Sequence, residues 1–241
     1  MTVQRYGMYA TTSAVGSGRV LGALPQQPQQ PEPPMHAVPP VVRPGRCAPA
    51  TDLRGTDARE LRYPAGDVVV VSGLPGSGKS TLIKRATAGL DAGGGAVRRI
   101  DSQDTRDRWE QRLPALLPYA LYRPLVRVAH YAGLARALRS GGSVVVHDCG
   151  TLGWVRGWLA RDARRRGGSL HLVLLDVPPE VALEGQASRG RGVSGYAFAR
   201  HRRAVRRLVA DAEGGRLPGG CTSAVLLDRR AASALNGIGF E

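Results

Sequence analysis

A parallel α/β fold is what this 241-residue sequence predicts, on three observations. From Asp67 onward, short apolar runs alternate with longer segments of helical period, the order that places parallel strands between crossover helices. The core runs, such as VVVV and LVLL, are apolar at successive positions instead of every second one, as strands covered on both faces require. The first run, VVVV, passes directly into GLPGSGKST, a glycine-rich turn followed by a helical pattern.

Five runs read as strands: DVVVVS (67–72), AVRRID (96–101), SVVVHD (143–148), LHLVLLD (170–176) and TSAVLLD (222–228). They are rich in β-branched residues and bounded by Gly, Pro, Ser or Asp. Between them fall a helix opening at the glycine turn, a helical region from about 104 to 140 broken near Pro114, Pro118 and Pro124, a helix at about 151–166 and another at about 196–212. This pattern sets the domain at 63–230. Residues 1–62 include LPQQPQQPEPPMHAVPPVVRPG, which has neither helical nor alternating period. Such a segment buries too little apolar surface to offset its ordering entropy, so it reads as a disordered Pro/Gln-rich tail; a ligand for an aromatic groove is its other use. Residues 231–241 read as a short C-terminal tail.

Formal charge is +15 and the isoelectric point near 11.0, a balance that points to nucleic acid, anionic membrane or polyphosphate ligands. Against a dedicated role, 32 of the 34 basic residues are arginine in a chain rich in Ala and Gly, the composition that G+C-rich coding produces. The arginine faces ARHRRAVRRLV (199–209) and RDARRRGG (161–168) accordingly read as solvated, with a phosphate-rich partner as the competing reading. Cys47, Cys149 and Cys221 are widely spaced, which excludes a disulfide scaffold and a C-x-x-C zinc site. No run approaches the ~20 apolar residues of a membrane span, and the chain reads as soluble and cytoplasmic.

Gly73-Leu74-Pro75-Gly76-Ser77-Gly78-Lys79-Ser80 fits G-x-x-x-x-G-K-[ST] at every fixed position. Glycines let the backbone curl around an anion with its N–H groups inward, and the following helix adds its positive end. Lys79 bridges β- and γ-phosphate oxygens in such a loop, Ser80 ligates Mg²⁺, and Thr81 supports the first helical turn. Harmless glycine turns do occur in this chain, as in DAGGGAV at 91–97, but one of its two lysines stands where the motif requires it.

Ligands of parallel sheets collect at the carboxyl ends of strands, where Asp101, Asp148, Asp176 and Asp228 each close a run. Asp148 is the candidate for holding Mg²⁺, with helix capping as its alternative. Asp101 either takes the acceptor's proton during phosphoryl transfer or caps a helix begun near SQDTRDRW. Asp176 reads as a helix starter, Asp228 as a neighbour of the base pocket, His147 as a core histidine, and Trp109, Trp154 and Trp158 as packing residues. SRGRGVSG (188–195) reads as a lid that brings Arg189 and Arg191 onto a bound triphosphate, or else as a polar loop.

Together the strand, the GLPGSGKST loop, the Asp-ended second and third strands and the R-x-R segment resemble the small P-loop kinases, which include polynucleotide 5′-kinase domains, gluconate kinase, chloramphenicol phosphotransferase and zeta-toxin-type kinases, and whose members are often catalogued as AAA-family ATPases. The resemblance covers about 66–228. It implies a three-layer α/β/α P-loop NTPase fold with five parallel strands ordered 2-3-1-4-5, with Asp148 beside the loop, Asp101 one strand out, and Arg189 and Arg191 gripping ATP. Polynucleotide kinases carry Asp-x-x-Arg after the second strand, whereas Asp101 is followed by Ser102-Gln103-Asp104, which weighs against nucleic-acid ends as acceptors. The implied activity is transfer of the γ-phosphoryl group of Mg·ATP to a hydroxyl of a small molecule or nucleotide. The alternative is a nucleotide-dependent switch or ATPase without acceptor, with nucleic-acid binding as a variant.

Overall fold

The computed structural model describes residues 41–45, 50–86, 97–114, 117–147, 152–188 and 193–241. In chain order the elements are β1 (Val41–Val42), β2 (Thr51–Asp52), β3 (Glu60–Tyr63), β4 (Val68–Gly73), α1 (Lys79–Ala86), β5 (Arg98–Asp101), α2 (Ser102–Glu110), α3 (Tyr119–Arg139) and β6 (Val144–His147). They continue with α4 (Gly153–Arg165), β7 (Leu170–Leu175), α5 (Pro179–Ala187), α6 (Gly195–Glu213), β8 (Ser223–Leu227), α7 (Arg229–Ala234) and β9 (Gly237–Phe240).

The main sheet is parallel, in the order β2-β8-β7-β4-β6-β5. Apart from β2, its strands run β5-β6-β4-β7-β8 and so keep the 2-3-1-4-5 arrangement, and β4, the strand that feeds the glycine loop, lies between β6 and β7. This is a P-loop NTPase fold. Side chains of β4 alternate between faces, as the pleat dictates. Val68 and Val70 meet Leu134 and Leu138 of α3, Leu159 of α4 and Leu208 of α6. Val69 and Val71 meet Leu82 and Ile83 of α1 together with Leu61, Tyr63, Ile238 and Phe240.

Those last four residues mark where the structure departs from the sequence expectation. A second parallel sheet, β1-β3-β9, covers part of the α1 face, so that layer combines helices with strands. A sixth strand, β2, extends the main sheet at β8. The folded unit therefore includes stretches assigned to the tails: Leu53, Ala58 and Leu61 before residue 63, and Ile238 and Phe240 after 230, are buried. Strands of two to four residues are too short to display a period, so they left no pattern to read. The helical region at 104–140 divides into α2 and α3 around Pro114 and Pro118, but Pro124 lies inside α3. It sits in the second turn, where the missing N–H removes a single bond without ending the helix.

At the amino ends of the strands, Asp67, His171, Ser223 and Tyr63 are buried together. His171 Nε2 lies 2.8 Å from Asp67 Oδ2 and its Nδ1 2.8 Å from Ser223 Oγ. Ser169 N donates to Asp67 Oδ1 at 2.7 Å, and the Tyr63 ring is 4.7 Å from the imidazole. An acid–imidazole–hydroxyl chain can activate a nucleophile, but this one is sealed from solvent at the sheet end opposite the glycine loop. Its work is structural: it satisfies buried polar groups and ties β4, β7 and β8 together.

Candidate active site

The loop Gly73–Gly78 leaves β4 and enters α1 at Lys79. Gly76 and Gly78 take φ of 88° and 95°, a region that favours glycine over any residue with a Cβ. Space imposes a second demand at Gly76, where a Cβ would stand 2.0 Å from the carbonyl oxygen of Ala182. The contact is reciprocal, since a Cβ on Gly185 would stand 2.4 Å from Gly76 O. The loop thus lies directly on α5. Buried Gln186 fixes it there: its Nε2 donates to Pro75 O at 3.1 Å, and its Oε1 accepts from Val193 N at 3.0 Å.

Lys79 is buried, and its Nζ donates to the carbonyls of Gly73 at 2.9 Å and Leu74 at 2.6 Å. The ammonium group therefore spans the loop's own mouth. Leu82 N bonds back to Gly78 O at 2.9 Å, so the helix starts without delay and its opening turn, with the partial positive charge of a helix N-terminus, faces the loop. Ser77 Oγ is buried with no hydrogen-bond partner among the described residues.

Asp101 and His147 end β5 and β6 as register partners. Asp101 Oδ1 accepts from Gln103 N at 2.8 Å, capping α2, and lies 2.5 Å from His147 Nδ1. Burial alone would lift the Asp101 carboxyl. The hydrogen bond and charge of His147, the Gln103 amide and the Ser80 hydroxyl outweigh it and hold the group below its ordinary value. The carboxylate side chain is fully enclosed while His147 retains 13% exposure, and His147, not placed in the site by sequence, lines the cleft over the loop.

That cleft has a volume of about 240 Å³ and is walled by the loop, Lys79, Ser80, His147 and Gln186. It opens past Ser102, Gln103, Arg106 and His201 into a second cavity of about 540 Å³ between α2, α3 and α6. On the other side of the loop a third cavity of about 230 Å³ is lined by Thr81, Arg85, Arg229 and Ser233. Asp228, expected near a base pocket, caps α7 through Ala231 N at 2.7 Å and accepts from Gly55 N at 2.8 Å. Asp176 pairs with Arg54 at 2.8 Å instead of capping a helix; α5 opens on Pro179.

Asp148, Arg189 and Arg191 lie outside the described residues, as do Cys47, Cys149 and Thr151. Burial pushes the Cys221 thiol up to about 11, against the charge of Arg156. Arg202, Arg203, Arg206 and Arg207 are exposed on α6, opposite buried Val205 and Leu208. Trp154, expected to pack, is 62% exposed and leans on Tyr131 at 5.4 Å. No helix among the described residues is long and apolar enough to cross a membrane. Sequence reading also missed Gly185 and Gln186; an isolated glycine inside the α5 pattern was the available sign of a close backbone approach.

A family model described as an AAA domain matches residues 68–213. The chain belongs to this family. It is the grouping in which small P-loop kinases are often catalogued, and the match runs from β4 through α6. Among solved structures, the AAA domain is similar to a candidate kinase from Chloroflexus aurantiacus, at 16% identity over 68% of this chain and 85% of that one, TM-score 0.46. A gluconokinase from Sinorhizobium meliloti gives 20% identity over 71% and 93%, TM-score 0.38. The tunicamycin resistance protein of Deinococcus radiodurans gives 16% identity over 61% and 82%, TM-score 0.36. No curated protein matches the chain.

Proposed function

We propose that the AAA domain is a phosphotransferase that moves the γ-phosphoryl group of Mg·ATP to a hydroxyl of a small molecule or nucleotide. One observation carries this reading: the cleft over the glycine loop does not end at the phosphates but continues into a cavity of about 540 Å³. A hydrolytic switch needs room for water beyond the γ-phosphate; a kinase needs a second substrate site in line with it.

In this reading the loop amides and Lys79 hold β- and γ-phosphates, and the nucleoside takes the cavity beside Arg229 and Ser233. Among the described residues no cluster of three His, Cys, Asp or Glu could hold a metal by itself. A magnesium ion binds through few protein oxygens and the substrate's phosphates; the Ser80 hydroxyl, which lines the cleft, would hold it in the described part, with Asp148 as the second ligand by sequence. Such an ion, when bound, offsets charge on the phosphate oxygens. Asp101 acts through His147 and not by direct contact with the acceptor: it fixes the imidazole in the cleft over the glycine loop and anchors the start of α2. Arg189 and Arg191 keep the triphosphate-gripping role assigned by sequence. Incubation of the protein with γ-labelled ATP and a metabolite extract tests the proposal. Label appearing on a new compound supports it, and release of label only as inorganic phosphate contradicts it.

A further inference from the structure

The acceptor cavity is strongly cationic. Arg123 and Arg127 are one turn apart on α3, Arg106 comes from α2 and Arg200 from α6, and all four line the same concavity. No Asp or Glu lines it or the adjoining phosphate cleft among the described residues. Arg106 pairs with Glu110 at 2.6 Å. Arg123, Arg127 and Arg200 are exposed and in no ion pair among the described residues. General arginine abundance explains solvated faces such as that of α6. It does not explain convergence from three helices onto one cavity beside a phosphate loop, where like charges repel one another unless an anion lies between them. Val126, Tyr131 and Leu152 supply an apolar wall in the same cavity.

We infer that the acceptor carries a phosphomonoester of its own, held by Arg123 and Arg127 together with Arg106 and Arg200 while its hydroxyl points to the glycine loop. The inference rests on the phosphotransferase reading. A monoester brings up to two negative charges and three acceptor oxygens, which match several guanidinium forks better than a single carboxylate does. The cavity's volume lies in the range of small-molecule sites, which favours a phosphorylated metabolite or mononucleotide over a nucleic-acid strand. In the reaction the acceptor hydroxyl oxygen bonds to the γ-phosphorus. The bond from that phosphorus to the β,γ-bridging oxygen breaks with its electron pair remaining on ADP, and the hydroxyl proton passes to solvent. The product carries at least two phosphate groups.

The test uses the full chain, γ-labelled ATP and a metabolite extract divided in three: untreated, treated with alkaline phosphatase that is then removed, and treated with nuclease. Label transfer in the untreated extract that disappears after phosphatase but survives nuclease is the expected result. Transfer that survives phosphatase overturns the inference and leaves the kinase reading standing. Loss with nuclease alone assigns the cavity to a nucleic-acid strand and likewise overturns it. No transfer in any portion, with Mg·ATP still bound, defeats the kinase reading and this inference with it. Arg123→Gln and Arg127→Gln should each raise KM for the labelled acceptor about tenfold with KM for ATP unchanged, whereas Arg202→Gln, on the outer face of α6, should move neither. An acceptor KM unaffected in both cavity variants contradicts the assignment.

Discussion

His147 Nδ1 lies 2.5 Å from Asp101 Oδ1, across a register pair that ends two neighbouring strands side by side. The carboxylate is enclosed and the imidazole faces the cleft, so in the proposed reaction Asp101 acts through His147. Asp101→Asn keeps an oxygen for the Gln103 amide but loses the charge facing the imidazole. It should lower kcat by about 10- to 100-fold, the scale of a misplaced catalytic group, while the Kd for Mg·ATP stays unchanged in calorimetry. His147→Gln should do the same, and the double variant should be no worse than either single one, because the two residues act as a unit. Additive losses would show separate roles.

Gly185 lies outside the phosphate-binding motif yet carries the loop. Gly185→Ala puts a methyl group 2.4 Å from the Gly76 carbonyl oxygen, and neither backbone can yield without shifting loop or helix. The expected cost is about 1–3 kcal/mol of stability, with Mg·ATP affinity weakened as the loop is displaced. Chemical denaturation and calorimetry on the same sample check both. Gly157→Ala, inside α4 where a Cβ meets nothing within 4 Å, is the control: it should leave Mg·ATP affinity unchanged and raise stability by about 0.5–1 kcal/mol, the ordinary gain of Ala over Gly in a helix.

The buried Asp67–His171–Ser223 chain predicts the opposite separation. His171→Leu leaves the Asp67 carboxylate enclosed without its imidazole partner, a loss of about 3–5 kcal/mol. Folded molecules of that variant should bind Mg·ATP as the parent does, since the chain lies at the amino ends of the strands. A urea titration gives the first quantity and calorimetry below the melting point the second.

Arg54 ties the β2 edge to the rest of the domain through Asp52 at 2.6 Å, Asp176 at 2.8 Å and Glu213 at 2.8 Å. These groups are partly exposed, so Arg54→Gln should cost roughly 1 kcal/mol after solvent screening. The Arg54 hydrogen bond holds the Asp52 carboxyl below its ordinary 3.8. A group depressed on folding contributes stability above its unfolded value and loses it as pH falls through the folded one. The gap between parent and variant should accordingly be full near neutrality and narrow on acidification below about pH 4, in urea midpoints measured across that range. A chain beginning at Pro64 should fail to fold, because it lacks Leu53, Ala58, Leu61 and Tyr63 from the core over β4.

What sequence could show depended on the length of each signal. The VVVV run and the GLPGSGKST loop span enough consecutive positions to fix strand, turn and helix at once, and the strand order followed from the resemblance. The small sheet and the β2 edge escaped because β1 and β2 are two residues each and β3 and β9 four, and because β3 and β9 pair Glu60 with Gly237, far apart in the chain. His147 was read as a core residue because strand periodicity reports which face a side chain takes, not that its strand ends at a cleft. The cationic cavity was hidden for a similar reason. Arg106, Arg123, Arg127 and Arg200 come from three helices, and in a chain with so many arginines only the fold shows which of them converge.

In the proposed function the Gly73–Thr81 backbone and the Lys79 ammonium group form a triphosphate cradle. Isothermal calorimetry of Mg·ATP against the purified chain and its Lys79→Ala variant tests this directly. Binding by the parent, weakened at least about 100-fold in the variant as removal of a buried charged donor implies, is the expected result. No binding by the parent, or equal binding by both, would contradict it.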